Sequence, residues 1–353
     1  MENQRTQVTC EVFGTLPNGS QVSSYTLKSS AVELRLITYG ARVVALRTAD
    51  RHGKIHDVAL GYDTLKPYVE ATNVYLGVTV GRFANRIAKG RFPLAGRTVQ
   101  TTINNGPNML HGGTEGFDRR NWEATEVPDG VEFTLLSPDR DQGFPGNLKV
   151  RVRYTLQGNV VSIASSATSD QTTVVNLTNH TYFNLDGETS GTILDEHLTL
   201  EADAFTPISS AEAIPTGEIV AVEGTPFDFR KPTRIGARIE EPNQQLIYGR
   251  GYDHNWVVRG NLGELRPAAK LYASASGRVL RVDTTEPGIQ FYSGNFLDGT
   301  LVGKSGAPYV RRSGLCLETQ RFPDTPNHAN FPSAELKPGE EYSSITTWTF
   351  QIE

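Results

Sequence analysis

Over most of the chain, apolar and polar residues alternate with a period of two. In Leu148-Lys-Val-Arg-Val-Arg-Tyr-Thr-Leu156 the apolar positions Leu148, Val150, Val152, Tyr154 and Leu156 alternate with Lys149, Arg151, Arg153 and Thr155. Successive side chains of a strand point to opposite faces, so one face belongs to a core and the charged one to water. Gly158-Asn159 then turns the chain into Val160–Ile163, which predicts a hairpin. Val32, Leu34 and Leu36 alternate with Glu33 and Arg35 in the same way. Further short strands are predicted at Val131–Leu136, Leu198–Leu200, Lys270–Ser274, Val279–Thr285 and Ile345–Ile352, separated by turn signals such as Pro128-Asp-Gly130, Ser276-Gly277 and Pro338-Gly339. Helical periodicity is nearly absent, apart from a short helix predicted over Asp63–Tyr68. Many short strands with regular turns predict an all-β fold, a large antiparallel β-sandwich. No linker, charge block or internal repeat divides the chain, so a single domain over residues 1–353 is expected. The connections Gly77–Gly90, Asn104–Asn121 and Gln320–Pro332 are long and rich in Asn, His, Arg and Gly, a pattern typical of functional loops.

Composition narrows the partners. Among 353 residues, 39 acidic side chains outnumber 34 basic ones, for a net charge of -5. That balance argues against nucleic acid and anionic membrane surfaces. No apolar run reaches bilayer length, and the N-terminal Met-Glu-Asn-Gln-Arg lacks the pattern of a secretory signal, so a cytoplasmic location is expected. Cys10 and Cys316, nearly a chain length apart, support neither a disulfide framework nor a cysteine zinc site.

Seven histidines, at 52, 56, 111, 180, 197, 254 and 328, include no HExxH motif and no facing pair on a credible helix. His52 and His56 are four apart, but Gly53 between them marks an exposed loop. No metal is expected on that spacing. The glycine-rich stretches match neither a P-loop nor a dinucleotide fingerprint, and no Gly-x-Ser-x-Gly elbow is present. What remains are polar clusters in turn-rich contexts. They are Gly81-Arg-Phe-Ala-Asn-Arg-Ile87, Asn108-Met-Leu-His-Gly-Gly113, Asn176-Leu-Thr-Asn-His-Thr-Tyr-Phe-Asn-Leu185, Tyr252-Asp-His-Asn-Trp256, Thr285–Asn295 and Leu315–Asp324. Any one of these could simply satisfy loop backbone groups. Glu318 stands out: it shares a strand face with Cys316, while Leu315 and Leu317 take the other. A carboxylate beside an apolar strand is partly desolvated, which raises its proton affinity toward that of a general base. An ion pair with one of the many arginines is the alternative.

In their order, GRFANRI, NMLHGG, NLTNHTYFNL, YDHNW and LETQRFPDTPNH resemble the aldose 1-epimerase (galactose mutarotase) family, and the likeness runs from about Val32 to Phe350. The resemblance implies a galactose mutarotase-like supersandwich with an open sugar cleft, acting on free aldoses without a cofactor. It implies His180 as general acid and Glu318 as general base, His111 as a second histidine beside the ring oxygen, and Asn85, Arg86, Asp253 and Gln290 as partners of sugar hydroxyls. Trp256 stands where the family commonly has Phe or another residue.

Those residue types suit anomer exchange. Opening a pyranose removes a proton from the C1 hydroxyl while another is delivered to the ring oxygen, and a carboxylate and an imidazolium on opposite sides of the acetal carbon would supply both. The pH profile is then expected to be bell-shaped, with Glu318 on its acidic limb and His180 on its alkaline limb. A small aldose is the expected partner, with the chain a monomer or weak dimer. Three rivals stay open. A glycoside hydrolase would use Glu318 and Asp253 as paired carboxylates. A sugar-binding module would need no acid–base pair. A hexose-6-phosphate epimerase would need Arg82, Arg91 or Arg321 in the cleft.

Overall fold

The alternation at Leu148–Leu156 becomes a strand, Leu148–Gln157, in which Leu148, Val150, Val152, Tyr154 and Leu156 are all buried. It pairs antiparallel with Val160–Ser169 through the turn at Gly158 and Asn159, as the hairpin pattern predicts. Each large apolar side chain withdrawn from water contributes about 1.5–3 kcal/mol, and this is what locks the register, since a one-residue slip would expose all five. The computed structural model describes residues 6–71 and 74–353.

Three antiparallel sheets organise these residues. A meander of five strands runs in chain order from Gln7–Thr15 to Ile55–Asp57. A nine-stranded sheet carries the Leu148–Gln157 hairpin and is joined at its middle by Tyr342–Ile352, which pairs with Val160–Ser169 on one side and Arg278–Thr284 on the other. The third sheet, of six strands, runs Tyr182–Phe183, Leu315–Gln320, Gly288–Tyr292, Asp253–Val258, Ala202–Thr206 and Val220–Ala221. Its inner face packs on the nine-stranded sheet: Phe183 meets Trp348 edge to face at 5.1 Å, and the hydroxyls of Thr319 and Thr346 lie 2.6 Å apart. Leu317, Trp256, Phe291 and Trp348 share one apolar core with Val152 and Leu280. The large antiparallel sandwich expected from periodicity is therefore the architecture.

Details depart from the pattern. The first helix is Leu65–Glu70, shifted toward the C-terminus of the predicted span, because Thr64 is still extended and Pro67 is tolerated in the first turn. A second helix, Gln244–Gly249, escapes the periodicity because it is only six residues long, although Asn243 caps it by accepting the Gln245 N–H at 2.9 Å. The strand expected at Lys270–Ser274 begins earlier, at Arg266, and ends at Tyr272; its register slips between Pro267 and Ala269, where proline offers no N–H. His56 sits half-buried in the strand Ile55–Asp57 rather than in an exposed loop. Among the described residues, no helix is long and apolar enough to cross a membrane.

Candidate active site

The outer face of the six-stranded sheet is polar where its inner face is apolar. Register across three neighbouring strands aligns Asn255 with Gln290 and Glu318, and Asp253 with Tyr292 and Cys316. The strict period of two thus gathers Asp253, Gln290 and Glu318 on one face, with His254, Phe291 and Leu317 turned into the core. Cys316 and Glu318 share a face as their spacing predicts, and Glu318 is only 2% exposed.

Loops add the remaining groups from above. His180 follows the two-residue strand Thr178–Asn179 and is pinned by its N–H to the Val78 carbonyl at 2.8 Å. His111 and Asn85 both adopt left-handed backbone, φ 51° and 63°, which Asn and His accept more readily than most residues. They clasp each other: the His111 N–H donates to the Asn85 carbonyl at 2.9 Å, and the Asn85 N–H donates to His111 Nδ1 at 3.1 Å. Gly112, at φ 89°, must be glycine, because a Cβ there would run into the Gly81 carbonyl. That contact is the physical reason for a glycine after His111, and it ties the NMLHGG segment to GRFANRI.

Together these elements enclose a cavity of about 400 Å³ lined by Asn85, Arg86, His111, His180, Asp253 and Glu318. A larger depression, about 530 Å³, crosses the exposed face of the nine-stranded sheet, but it holds no histidine and only surface charges such as Glu123, Lys149 and Arg151. In the cleft, His180 Nε2 lies 3.6 Å from Glu318 Oε1. They stand side by side, not across the cavity from each other as the chemistry alone suggested. The His111 ring meets His180 at right angles, 5.2 Å between centroids, and Tyr75 packs edge-on against His111 at 4.5 Å.

Burial sets the electrostatics. It lowers the His180 pKa to about 4 and holds His111 well below the usual histidine range, the latter helped by His180 and Arg86 nearby. Burial raises Glu318 well above the ordinary carboxylate range; neighbouring Asp253 adds to the rise and Arg86 opposes it. Asp253 is raised for the same first reason, against the pull of Arg86 and Gln290. Each member of the 3.6 Å pair is thus reluctant to be charged alone, and its titration belongs to the pair. Burial thus moves the two groups in opposite directions, Glu318 up and His180 down, against the order of their ordinary pKa values, because desolvation acts oppositely on an acid and a base.

One atom each from His111, His180 and Glu318 lies within 4.8 Å of the others, a grouping that sequence spacing did not foresee and that could suggest a metal. The donor chemistry argues otherwise. His111 Nδ1 already accepts the Asn85 N–H, so the neutral ring carries its proton on Nε2 and has no free lone pair to offer.

Of the residues expected from sequence, Asn85, Arg86, His111, His180, Asp253 and Glu318 meet in the cavity. Gln290 does not line it: the side chain lies beneath, with its amide donating to Asp253 Oδ1 at 2.7 Å and its oxygen facing the Gln320 amide at 3.4 Å. Arg86 is aimed by Asn105 Oδ1 at 3.3 Å and Asn85 Oδ1 at 3.4 Å. Sequence reasoning passed over Asn105, Tyr75, Tyr182, Tyr292 and Phe296, all of which line the cleft. Tyr182 and Tyr292 lay inside clusters already singled out and Asn105 inside the long connection Asn104–Asn121, whereas Tyr75 carried no local signal. His254 is a satisfied core histidine, accepting the Asp253 N–H and meeting Gln245 at 3.2 Å. Arg82, 2% exposed, spends its guanidinium on Pro145, Ser137 and Pro138. Arg321 faces Glu286 at 3.5 Å, and Arg91 is exposed outside the cleft.

Comparison with known proteins agrees with this geometry. A family model described as aldose 1-epimerase matches residues 23–349. A galactose mutarotase of Bos taurus is 49% identical, covering 98% of this chain and 99% of its own. An aldose 1-epimerase of Escherichia coli (strain K12) is 39% identical, over 96% of this chain and 97% of its own. Among solved structures, an aldose epimerase homologue from C. elegans superposes with a TM-score of 0.84 at 33% identity, over 92% of this chain and 97% of the other. A galactose 1-epimerase from Lactobacillus acidophilus gives 0.85 at 28% identity, over 98% and 99%. With the motifs, the sandwich and near-complete coverage all in agreement, this chain belongs to the aldose 1-epimerase family.

Proposed function

We propose that the chain, working as one unit, interconverts the α and β anomers of free aldoses such as glucose and galactose, with His180 and Glu318 exchanging protons with the sugar. The observation that carries this reading is the buried His180–Glu318 pair, 3.6 Å apart and open to one polar cavity. The two oxygens to be served, the C1 hydroxyl and the ring oxygen, are bonded to the same carbon, so an adjacent acid and base suit them. Glu318 as carboxylate takes the C1 hydroxyl proton while His180 as imidazolium gives one to the ring oxygen. The bond from C1 to the ring oxygen breaks and leaves an open aldehyde, a protonated Glu318 and a neutral His180. Rotation about C1–C2 and reclosure on the other face run the transfers backwards and restore the starting pair. The pair's two one-proton forms are the states before and after ring opening, and no electron or group leaves the sugar.

His111, with its proton on Nε2, is a donor beside the ring oxygen. Arg86 and Asp253 hold sugar hydroxyls, Asn85 supports Arg86, and Gln290 acts through Asp253. A phosphorylated sugar is disfavoured, because Arg86 is the only Lys or Arg among the described residues lining the cavity, and its charge already acts on both Glu318 and Asp253. Polarimetry of freshly dissolved α-D-glucose and α-D-galactose tests the activity directly. Added protein should speed the approach to the equilibrium rotation; a rate equal to the spontaneous one for both sugars would refute it.

A further inference from the structure

The run Arg321-Phe-Pro-Asp-Thr-Pro-Asn-His328 leaves the strand that carries Glu318, yet none of these residues lines the cleft. Asp324 is nevertheless 2% exposed and left-handed, φ 56°. Its backbone N–H donates to the Arg86 carbonyl at 2.8 Å, and its Oδ1 accepts the Ala88 N–H at 2.9 Å. Arg86–Ile87 is a strand of only two residues, paired along its other edge with Met109–Leu110. Asp324 therefore occupies the place of a neighbouring strand, its carboxylate standing in for the missing carbonyl. Asn327 Nδ2 donates to the same Oδ1 at 2.6 Å, and His328 Nε2 lies 3.3 Å from Oδ2. A buried carboxylate is costly unless its oxygens are satisfied, and here the donors belong either to its own loop or to the Arg86 segment.

We propose that Asp324 is a positioning residue that fixes the backbone on both sides of Ile87 and so aims the Arg86 guanidinium at the sugar. The proposal rests on the assignment of Arg86 to substrate binding. It ties Arg86 to the Glu318 strand through the chain, so the binding cation and the catalytic carboxylate keep a constant separation. The left-handed backbone suits Asp, Asn and Gly, which provides variants that change the side chain without straining φ.

The experiment measures kcat and KM for α-D-galactose by polarimetry in the full chain, for Asp324→Gly, Asp324→Asn, Arg86→Ala and the Arg86→Ala/Asp324→Gly double variant. Asp324→Gly should raise KM roughly three- to tenfold with kcat within about twofold, short of the loss from removing Arg86 itself. Asp324→Asn keeps an oxygen for Ala88 and should return KM to within about twofold of the parent. In the double variant KM should match that of Arg86→Ala alone, because nothing remains to be aimed. Should the glycine variant not fold, Asp324→Ser, whose hydroxyl falls short of Ala88, carries the same expectation. If Arg86→Ala raises KM but Asp324→Gly does not, or if the two effects multiply in the double variant, the positioning role is refuted while the substrate site stands. If Arg86→Ala leaves KM unchanged, both readings fail.

Discussion

Replacing Glu318 by Gln should slow turnover by about 10²–10⁴-fold and stabilise the protein at the same time. The change keeps the side-chain shape and removes the carboxylate proposed to take the C1 proton. A general base contributes about 10²–10⁴-fold, equivalent to about 2.7–5.4 kcal/mol of barrier. The same carboxylate is 2% exposed, with Asp253 near and its pKa raised by burial. A carboxyl whose folded pKa lies above its unfolded value adds stability below the unfolded pKa and loses it as pH rises through the folded pKa. Above the folded pKa the parent carries that penalty in full, about 1.4 kcal/mol for every tenfold rise in proton affinity on folding, and the glutamine variant does not. The parent's melting temperature should therefore fall relative to the variant's as pH rises. His180 should respond as well. At 3.6 Å, and with an effective dielectric constant near 20, the imidazolium–carboxylate attraction is about 5 kcal/mol, so without Glu318 the imidazolium loses its counter-charge. In the parent, a second proton on the pair makes a lone imidazolium, which puts the acidic limb low, near the His180 value of about 4. Loss of the last proton makes a lone carboxylate, which moves the alkaline limb above the usual carboxylate range. Stopped-flow polarimetry across pH, paired with thermal melts, reads all of this. Near-normal turnover by Glu318→Gln, or an alkaline limb that persists in its residual activity, would refute the reasoning.

Three further outcomes follow from the same geometry. His180→Asn should slow the chemical step by about 10²–10⁴-fold, and His180→Asn/Glu318→Gln should be little worse than the worse single variant, since both serve one transfer; multiplying losses in polarimetry would show independent roles. Protein treated with EDTA should keep its full rate, because the Asn85 N–H occupies the His111 lone pair a metal would need; activity lost and then restored by zinc would contradict this. Gly112→Ala should lower the melting temperature and distort the His111 loop, because its Cβ collides with the Gly81 carbonyl; an unchanged melt and KM would mean the loop yields freely.

What could be read from sequence depended on local backbone geometry. A period of two in Leu148–Leu156 or Val32–Leu36 states which side chains share a face whatever the partner strand, so the sandwich and the common face of Cys316 and Glu318 were legible. The ordered motifs supplied the site residues by resemblance, and six of the seven meet in the cleft. Arg86–Ile87 and Gln244–Gly249 were not legible, because neither displays a period of its own: they exist through their partners and caps. Only the tertiary structure decided that Arg82 and Arg321 serve backbone and Glu286 rather than a phosphate, and that Gln290 lies beneath Asp253. It also decided that His180 and Glu318, far apart in the chain, stand side by side in a buried cleft. Proton affinity follows desolvation and the nearest charges, and both are created when distant segments pack together. That is why the residue types pointed to acid–base chemistry, while the opposite shifts of Glu318 and His180 came from the fold.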